Sequence, residues 1–273
     1  MNKYFGIIAA AGFLLITLAV ALQQEHAESA INTKTSKTIA KTETTSSQTE
    51  GSSHSNKPKQ ITHKIKDFPK VTAEDWSLVL VGPLNKGSEI ETGGLAKLSN
   101  GYLVDKRIVS DYEKLKAAAE KAGHPLVMIS AFRSIASQKA VFDQNVTMLM
   151  NQGQSKEKAI ETTKRTMTEP GYSEHHTGLA LDVVDRQWYN SYPDTVLDHQ
   201  FGETDGGKWL QEHAREYGFI IRYPEGKQAI TKIDYEPWHL RYVGVETATY
   251  IEKHQLTLEE FLEQVKEQER ENE

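Results

Sequence analysis

The chain contains no cysteine among its 273 residues. That absence excludes disulfides and thiolate metal sites, and it removes the acceptor a bacterial lipid anchor requires. A strong excess of one charge is also lacking. With 32 basic against 38 acidic side chains the formal charge is −6, which argues against nucleic acid as a partner. No HExxH helix occurs, so the common helical metalloprotease site is excluded. Nor is there a nucleophile elbow or oxyanion loop to accompany Ser173, His175 and Asp182 as a serine triad. No internal repeat is visible.

Long apolar runs are absent except at one place. Tyr4 to Leu22 carries no charge and follows Lys3, the order of a membrane-directed segment. At 1.5 Å rise, such a stretch nearly crosses a hydrocarbon core of roughly 30 Å. Its length favours an uncleaved signal anchor, whereas Ala19-Val20-Ala21 is a small-x-small pattern suited to signal-peptide cleavage. Residues 1–22 are therefore read as signal anchor or signal peptide, with the remainder exported. Localisation is expected at the extracytoplasmic face of the cell membrane, or in the cell wall after cleavage. Residues 23–66 are dominated by Thr, Ser, Lys, Gln and Glu and bury too little apolar surface to offset their ordering entropy. They are expected to form a disordered linker that spaces a folded domain, residues 67–273, from the membrane.

Within that domain, Trp76 to Val81 reads as a buried strand closed by Gly82-Pro83. Lys106 to Gly123 has helical spacing, with Ile108, Val109, Tyr112, Leu115 and Ala119 on one face. Further strands are predicted over 126–130, 179–184, 219–222 and 238–243, and further helices over 137–150, 155–167, 207–217 and 257–268. Strands and helices mix without regular alternation, so the fold class is α+β, a mainly antiparallel sheet with flanking helices. Trp188, Tyr189 and Tyr192 are read as packing, with cleft lining as the alternative, and His199, His213 and His254 as solvated.

Two segments concentrate ligand chemistry: Tyr172-Ser-Glu-His-His-Thr-Gly-Leu-Ala-Leu-Asp182 and Glu236-Pro-Trp-His239. Imidazole nitrogen and carboxylate oxygen both suit zinc, and a catalytic zinc keeps three protein ligands and one open position. His175, Asp182 and His239 supply such a set, and Glu236 supplies a carboxylate that can take a proton. Gly178, Ala180 and Asp182 are expected to alternate along one strand face, the small residues leaving room for a metal and a peptide. Glu236 and His239, three apart, face opposite ways in a regular strand, so the chain is predicted to bend or bulge at Pro237. His176 is expected to turn away from the ligand set.

These residues carry a resemblance to a known family. Ser173-x-His175-x-x-Gly178-x-Ala180-x-Asp182 followed by Glu236-x-Trp238-His239 is similar to the VanY-like D-alanyl-D-alanine carboxypeptidases. L,D-carboxypeptidases of the LdcB type and the hedgehog amino-terminal domain share that zinc site. The likeness runs from about Trp76 to the end and includes Ala131-Phe132-Arg133-Ser134 with Gln138; Phe132 stands where tyrosine is common. The resemblance implies one Zn2+ per chain on His175, Asp182 and His239, Glu236 as general base and Arg133 as stabiliser of the tetrahedral oxyanion. It implies that Ser173 and Gln138 hold the substrate's terminal carboxylate or adjacent amide. The expected partners are peptidoglycan stem peptides and, through the amino-terminal segment, the cytoplasmic membrane. The expected activity is release of terminal D-alanine, with D,D- and L,D-specificity both open. The alternatives are a cross-link endopeptidase and a non-catalytic, zinc-containing wall-binding module.

Overall fold

A computed structural model describes residues 67–272, so the expectations for residues 1–22 and 23–66 lie outside the described residues. Among the described residues, no helix is long and apolar enough to cross a membrane. The order of elements is β1 (Leu95–Lys97), β2 (Leu103–Asp105), α1 (Val109–Lys121), β3 (Leu126–Ser130), α2 (Ile135–Asn151) and α3 (Lys156–Thr166). There follow β4 (Ala180–Asp185), α4 (Arg186–Ser191), α5 (Asp205–His213), β5 (Phe219–Tyr223), α6 (Gln228–Thr231), β6 (Glu236–Tyr242), α7 (Val245–Lys253) and α8 (Leu258–Asn272). Strands β3-β4-β6-β5 form an antiparallel sheet, and β1-β2 a separate antiparallel pair. The α+β, mainly antiparallel architecture is thus observed.

Helix boundaries follow local chemistry. Ser134 and Ser155 cap α2 and α3, their hydroxyls accepting from the amides of Ser137 and Lys158. A capping box opens α8: Glu260 accepts from the Thr257 amide and Thr257 from the Glu260 amide, at 2.8 and 3.2 Å. Gly123, just past α1, has φ +90°, a conformation in which a Cβ is strained.

Each sheet face buries a different core. On one, Leu181, Val183 and Leu240 pack with Tyr112, Leu115 and Ala119 of α1, Leu210 of α5, Phe201 and Trp188. On the other, Ile220 and Val243 join Leu78, Ile251 of α7 and Phe261, Leu262 and Val265 of α8. The remainder of that second face carries Asp182, His239 and Arg241, which the alternation of β4 and β6 places together. Helices α2 and α3 pack on each other through Phe142, Val146 and Ala159.

Two expectations are corrected. No strand forms over Trp76–Val81. Leu78 and Val81 are buried, but the carbonyls of Ser77 and Val79 accept from Arg241 Nη2 at 3.0 and 2.7 Å instead of joining a ladder. Gly178 is not in β4. It ends a 3-10 turn with φ +70°, and a Cβ there would lie 2.8 Å from the Asp105 amide nitrogen. Glycine is required there by backbone conformation and close approach.

Candidate metal centre and catalytic cleft

Three neighbouring strands lay out a row of side chains. Ser130 of β3 pairs with Asp182 of β4, which pairs with His239 of β6. His175 comes over the same face from the 3-10 turn Glu174–Thr177. The i, i+3 conflict at Glu236 is resolved by an irregularity in pairing. Ile221 of β5 faces Leu240 but Tyr223 faces Glu236, so β6 spends two extra residues there, across Pro237. Glu236 Oε2 is consequently 3.6 Å from His239 Nδ1.

His175, Asp182 and His239 are each buried and offer one ligand atom apiece within 4.8 Å of one another. His175 Nε2 lies 3.2 Å from Asp182 Oδ2, and His239 Nδ1 lies 3.1 Å from Asp182 Oδ1. Asp182 Oδ1 is nevertheless buried without a hydrogen-bond partner among the described residues. Close approach without hydrogen-bonding alignment is what lone pairs converging on one point produce. Tetrahedral zinc ligands at about 2.0–2.2 Å from the metal stand about 3.3–3.6 Å apart, close to these spacings. The donor set, two imidazoles and one carboxylate, fits zinc on geometry and on chemistry.

The second nitrogen of each imidazole is committed. His175 Nδ1 donates to the Ala131 carbonyl at 2.7 Å, and His239 Nε2 to Glu174 Oε2 at 3.4 Å. Such partners fix which ring nitrogen is left free for a metal. His176 turns away, as expected: its Nε2 accepts from the Gly171 amide and its Nδ1 donates to the Arg133 carbonyl.

Arg133 lines the cleft and is held in place from behind. Its Nη1 donates to Gln138 Oε1 at 2.9 Å and its Nη2 to Ser130 Oγ at 2.8 Å. Its Nε is buried with no partner among the described residues, so that N–H is left to give. Gln138 is buried, with its oxygen on Arg133 and its nitrogen on the Thr168 carbonyl at 2.7 Å. Ser173 lines the same cleft, which encloses about 390 Å³ together with Val141, Met167, Tyr223, Tyr235 and Trp238. Trp188 packs in the core and donates to the Val196 carbonyl, and Tyr189 is exposed, so neither lines the cleft. His199 is solvent-exposed but stands at the cleft rim. Sequence reasoning missed Glu174 and Tyr223. Glu174 is the unspecified residue between Ser173 and His175, and Tyr223 packs its ring against His239 at 4.8 Å between centroids.

The electrostatics of the metal-free site are those of a cation site. Burial pushes the Asp182 carboxyl up, but His175 and His239 outweigh it and hold it well below the usual carboxylate range. Burial pulls the His175 imidazolium down, only partly offset by Asp182, so the ring is neutral and ready to ligate. Burial also pulls on His239, but the adjacent Asp182 and Glu174 carboxylates prevail and push it up to about 10. Burial pushes Glu236 up to about 8, with His239 opposing and Asp182, Asp234 and Glu174 reinforcing.

The raised His239 value has a definite sign. Its ion pairs stabilise the metal-free protein fully below the unfolded histidine pKa of about 6.5. That contribution is lost as pH climbs through about 10. A metal at Nδ1 and a proton at Nδ1 exclude each other. Zinc uptake at pH 7 is therefore expected to release one proton from His239 and most of another from Glu236, whose pKa of about 8 falls beside a cation, and affinity to rise with pH up to about 10. An indicator dye in weak buffer measures this directly; uptake with no proton released contradicts it.

Comparison with known proteins agrees with this geometry. The family model described as VanY, D-alanyl-D-alanine carboxypeptidase, matches residues 101–245. A D-alanyl-D-alanine carboxypeptidase of Enterococcus faecalis (strain ATCC 700802 / V583) is 34% identical over 69% of this chain and 66% of its own. A vancomycin-resistance D,D-pentapeptidase VanY variant, solved in complex with Zn(II), is 34% identical with a TM-score of 0.58, covering 69% of this chain and 99% of that one. The LdcB LD-carboxypeptidase structure is 38% identical with a TM-score of 0.52, covering 67% and 76%. The chain spans 60% and 66% of the lengths of the first two curated relatives it matches. A match over more than half the sequence, a shared fold and a matching donor set place this chain in the VanY family.

Proposed function

We propose that this protein is a zinc-dependent carboxypeptidase that hydrolyses the terminal D-alanine bond of peptidoglycan stem peptides. The observation that carries the reading is the convergence of His175 Nε2, Asp182 and His239 Nδ1, with Glu236 3.6 Å from that nitrogen. The VanY family assignment supports it. When bound, zinc supplies Lewis acidity and lowers the pKa of a coordinated water to about 7.

The chain's own groups do the rest. Glu236 accepts a proton from the attacking water as that oxygen bonds to the scissile carbonyl carbon. The same carboxyl returns the proton to the leaving amine as the C–N bond breaks, so protons balance over the cycle. Its pKa of about 8 in the metal-free site falls when a cation enters, which favours the base form. Arg133 directs its Nε–H at the negative oxygen that develops on the carbonyl. Gln138 and Ser130 hold the guanidinium in that pose. Ser173, on the cleft wall, is the group proposed to meet the substrate's terminal carboxylate.

Arg133→Gln is expected to lower kcat by about 10²–10³-fold, the cost of losing one preorganised donor to an oxyanion. Zinc content and KM are expected to change far less, because Arg133 acts on charge formed in the transition state. Steady-state kinetics with metal analysis checks this; a rise in KM alone contradicts the role.

Export through residues 1–22, ending in a membrane anchor or in release to the wall, belongs to the same proposal and is supported by the apolar run after Lys3. Incubation with defined pentapeptide, tetrapeptide and cross-linked muropeptides, with and without chelator, tests the function by product mass. Chelator-sensitive loss of one alanine from pentapeptide or tetrapeptide is the expected result. Cleavage of the cross-link alone would transfer the assignment to an endopeptidase. No cleavage of any would leave a binding module.

A further inference from the structure

Behind the site lies a group of four buried or half-buried charges that the proposed chemistry does not use. Glu174 is 1% exposed, and Arg222 and Arg241 are fully buried. Glu174 Oε1 accepts from Arg222 Nε at 2.8 Å and from Arg241 Nη1 at 2.6 Å. Arg222 gives its remaining nitrogens to both oxygens of Glu259 on α8, at 2.9 and 2.7 Å. Arg241 gives its other terminal nitrogen to the carbonyls of Ser77 and Val79. Two arginines against two glutamates leave no net charge, the condition under which such a buried cluster is tolerable. The second Glu174 oxygen takes no arginine. It receives His239 Nε2 at 3.4 Å.

We propose that Glu174 is the positioning residue for the metal ligand His239. It fixes the Nε2–H tautomer, so that Nδ1 presents its lone pair to the cation, and Arg222 and Arg241 hold Glu174 for that task. The proposal rests on the metal-site reading above. A neutral imidazole without an acceptor at Nε2 is free to exchange tautomers and to swing, and both weaken a ligand. With Oε1 fixed by two guanidinium groups, the carboxylate cannot rotate to follow the ring, so the ring conforms to the carboxylate. The support reaches beyond residues 101–245: Glu259 and the 77–79 carbonyls anchor the arginines from both flanks of the family match. The carboxy-terminal helix and the entry to the domain are thereby tied to a metal ligand.

The test compares Glu174→Gln with Glu259→Gln, both in the full chain. Zinc affinity is read by competition with a chromophoric chelator, and ligand geometry by the visible spectrum of the cobalt-substituted protein. Glu174→Gln is expected to weaken zinc binding about 10–100-fold and shift the cobalt bands, while Glu259→Gln changes affinity by no more than about threefold. Unchanged affinity and spectrum in Glu174→Gln overturn the proposal. So does an equal loss in both variants, which a general loosening of the charge cluster would cause. Should Glu174→Gln not fold, nitrogen NMR of the zinc-loaded wild type decides. A slowly exchanging proton on His239 Nε2 supports the proposal, and metal on Nε2 overturns it. Failure of the wild type to bind zinc would refute the metal site itself, and shows before any variant is made.

Discussion

Replacing Glu236 by glutamine is expected to reduce turnover by about 10²–10⁴-fold, the usual contribution of a general base, while zinc stays bound. The geometry separates the two effects. Glu236 Oε2 approaches His239 Nδ1 at 3.6 Å but is not one of the three converging ligand atoms. Its backbone is paired with Tyr223 of β5 across the β6 irregularity. Glutamine keeps the size and loses the basicity. The measurement is kcat on a muropeptide alongside zinc stoichiometry. Near-wild-type turnover with full zinc would remove Glu236 from the mechanism, and loss of zinc would make it a ligand.

Replacing His239 by alanine is expected to have the largest effect of all, because it removes a ligand and disturbs two carboxylates. Asp182 and Glu174 both hold hydrogen-bonding or ionic contact with this ring. Zinc affinity should fall by more than the roughly 10–100-fold typical of losing an outer partner, and turnover should vanish with it. A bound metal stabilises the folded state by mass action. Wild-type protein should therefore melt at a higher temperature with added zinc than with chelator, and His239→Ala should melt at the same temperature in both. A zinc-dependent rise in Tm that survives in the variant would show that the metal sits elsewhere.

Much of this was legible in the sequence, for identifiable reasons. Helices are expected over 137–150 and 155–167, and α2 and α3 form there, with Ser134 and Ser155 as their caps. The conflict between the spacing of Glu236 and His239 and strand periodicity pointed to the irregularity that β6 shows at Pro237. The ligand triad was readable because zinc chemistry restricts donors to a few residue types.

What escaped depended on distant partners. Trp76–Val81 has the composition of a strand, but its carbonyls are taken by Arg241, more than 160 residues away. Glu174 offered no local signal, since Arg222 and Arg241 lie 48 and 67 residues further on. Strands β1 and β2 have three residues each, too few for any periodicity. Gly178 was correctly singled out, but its reason is its left-handed φ and the nearby Asp105 backbone. Gln138 lines the cleft beside Arg133, with its amide oxygen on the guanidinium and its amide nitrogen on the Thr168 carbonyl, contacts between residues 5 and 30 apart that no local pattern announces.

X-ray diffraction from crystals of the zinc-loaded protein at the zinc absorption edge puts the central claim to the most direct test. A single anomalous peak is expected within about 2.0–2.2 Å of His175 Nε2, a carboxylate oxygen of Asp182 and His239 Nδ1. Density for zinc at any other place, with nothing between those three atoms, would contradict the account.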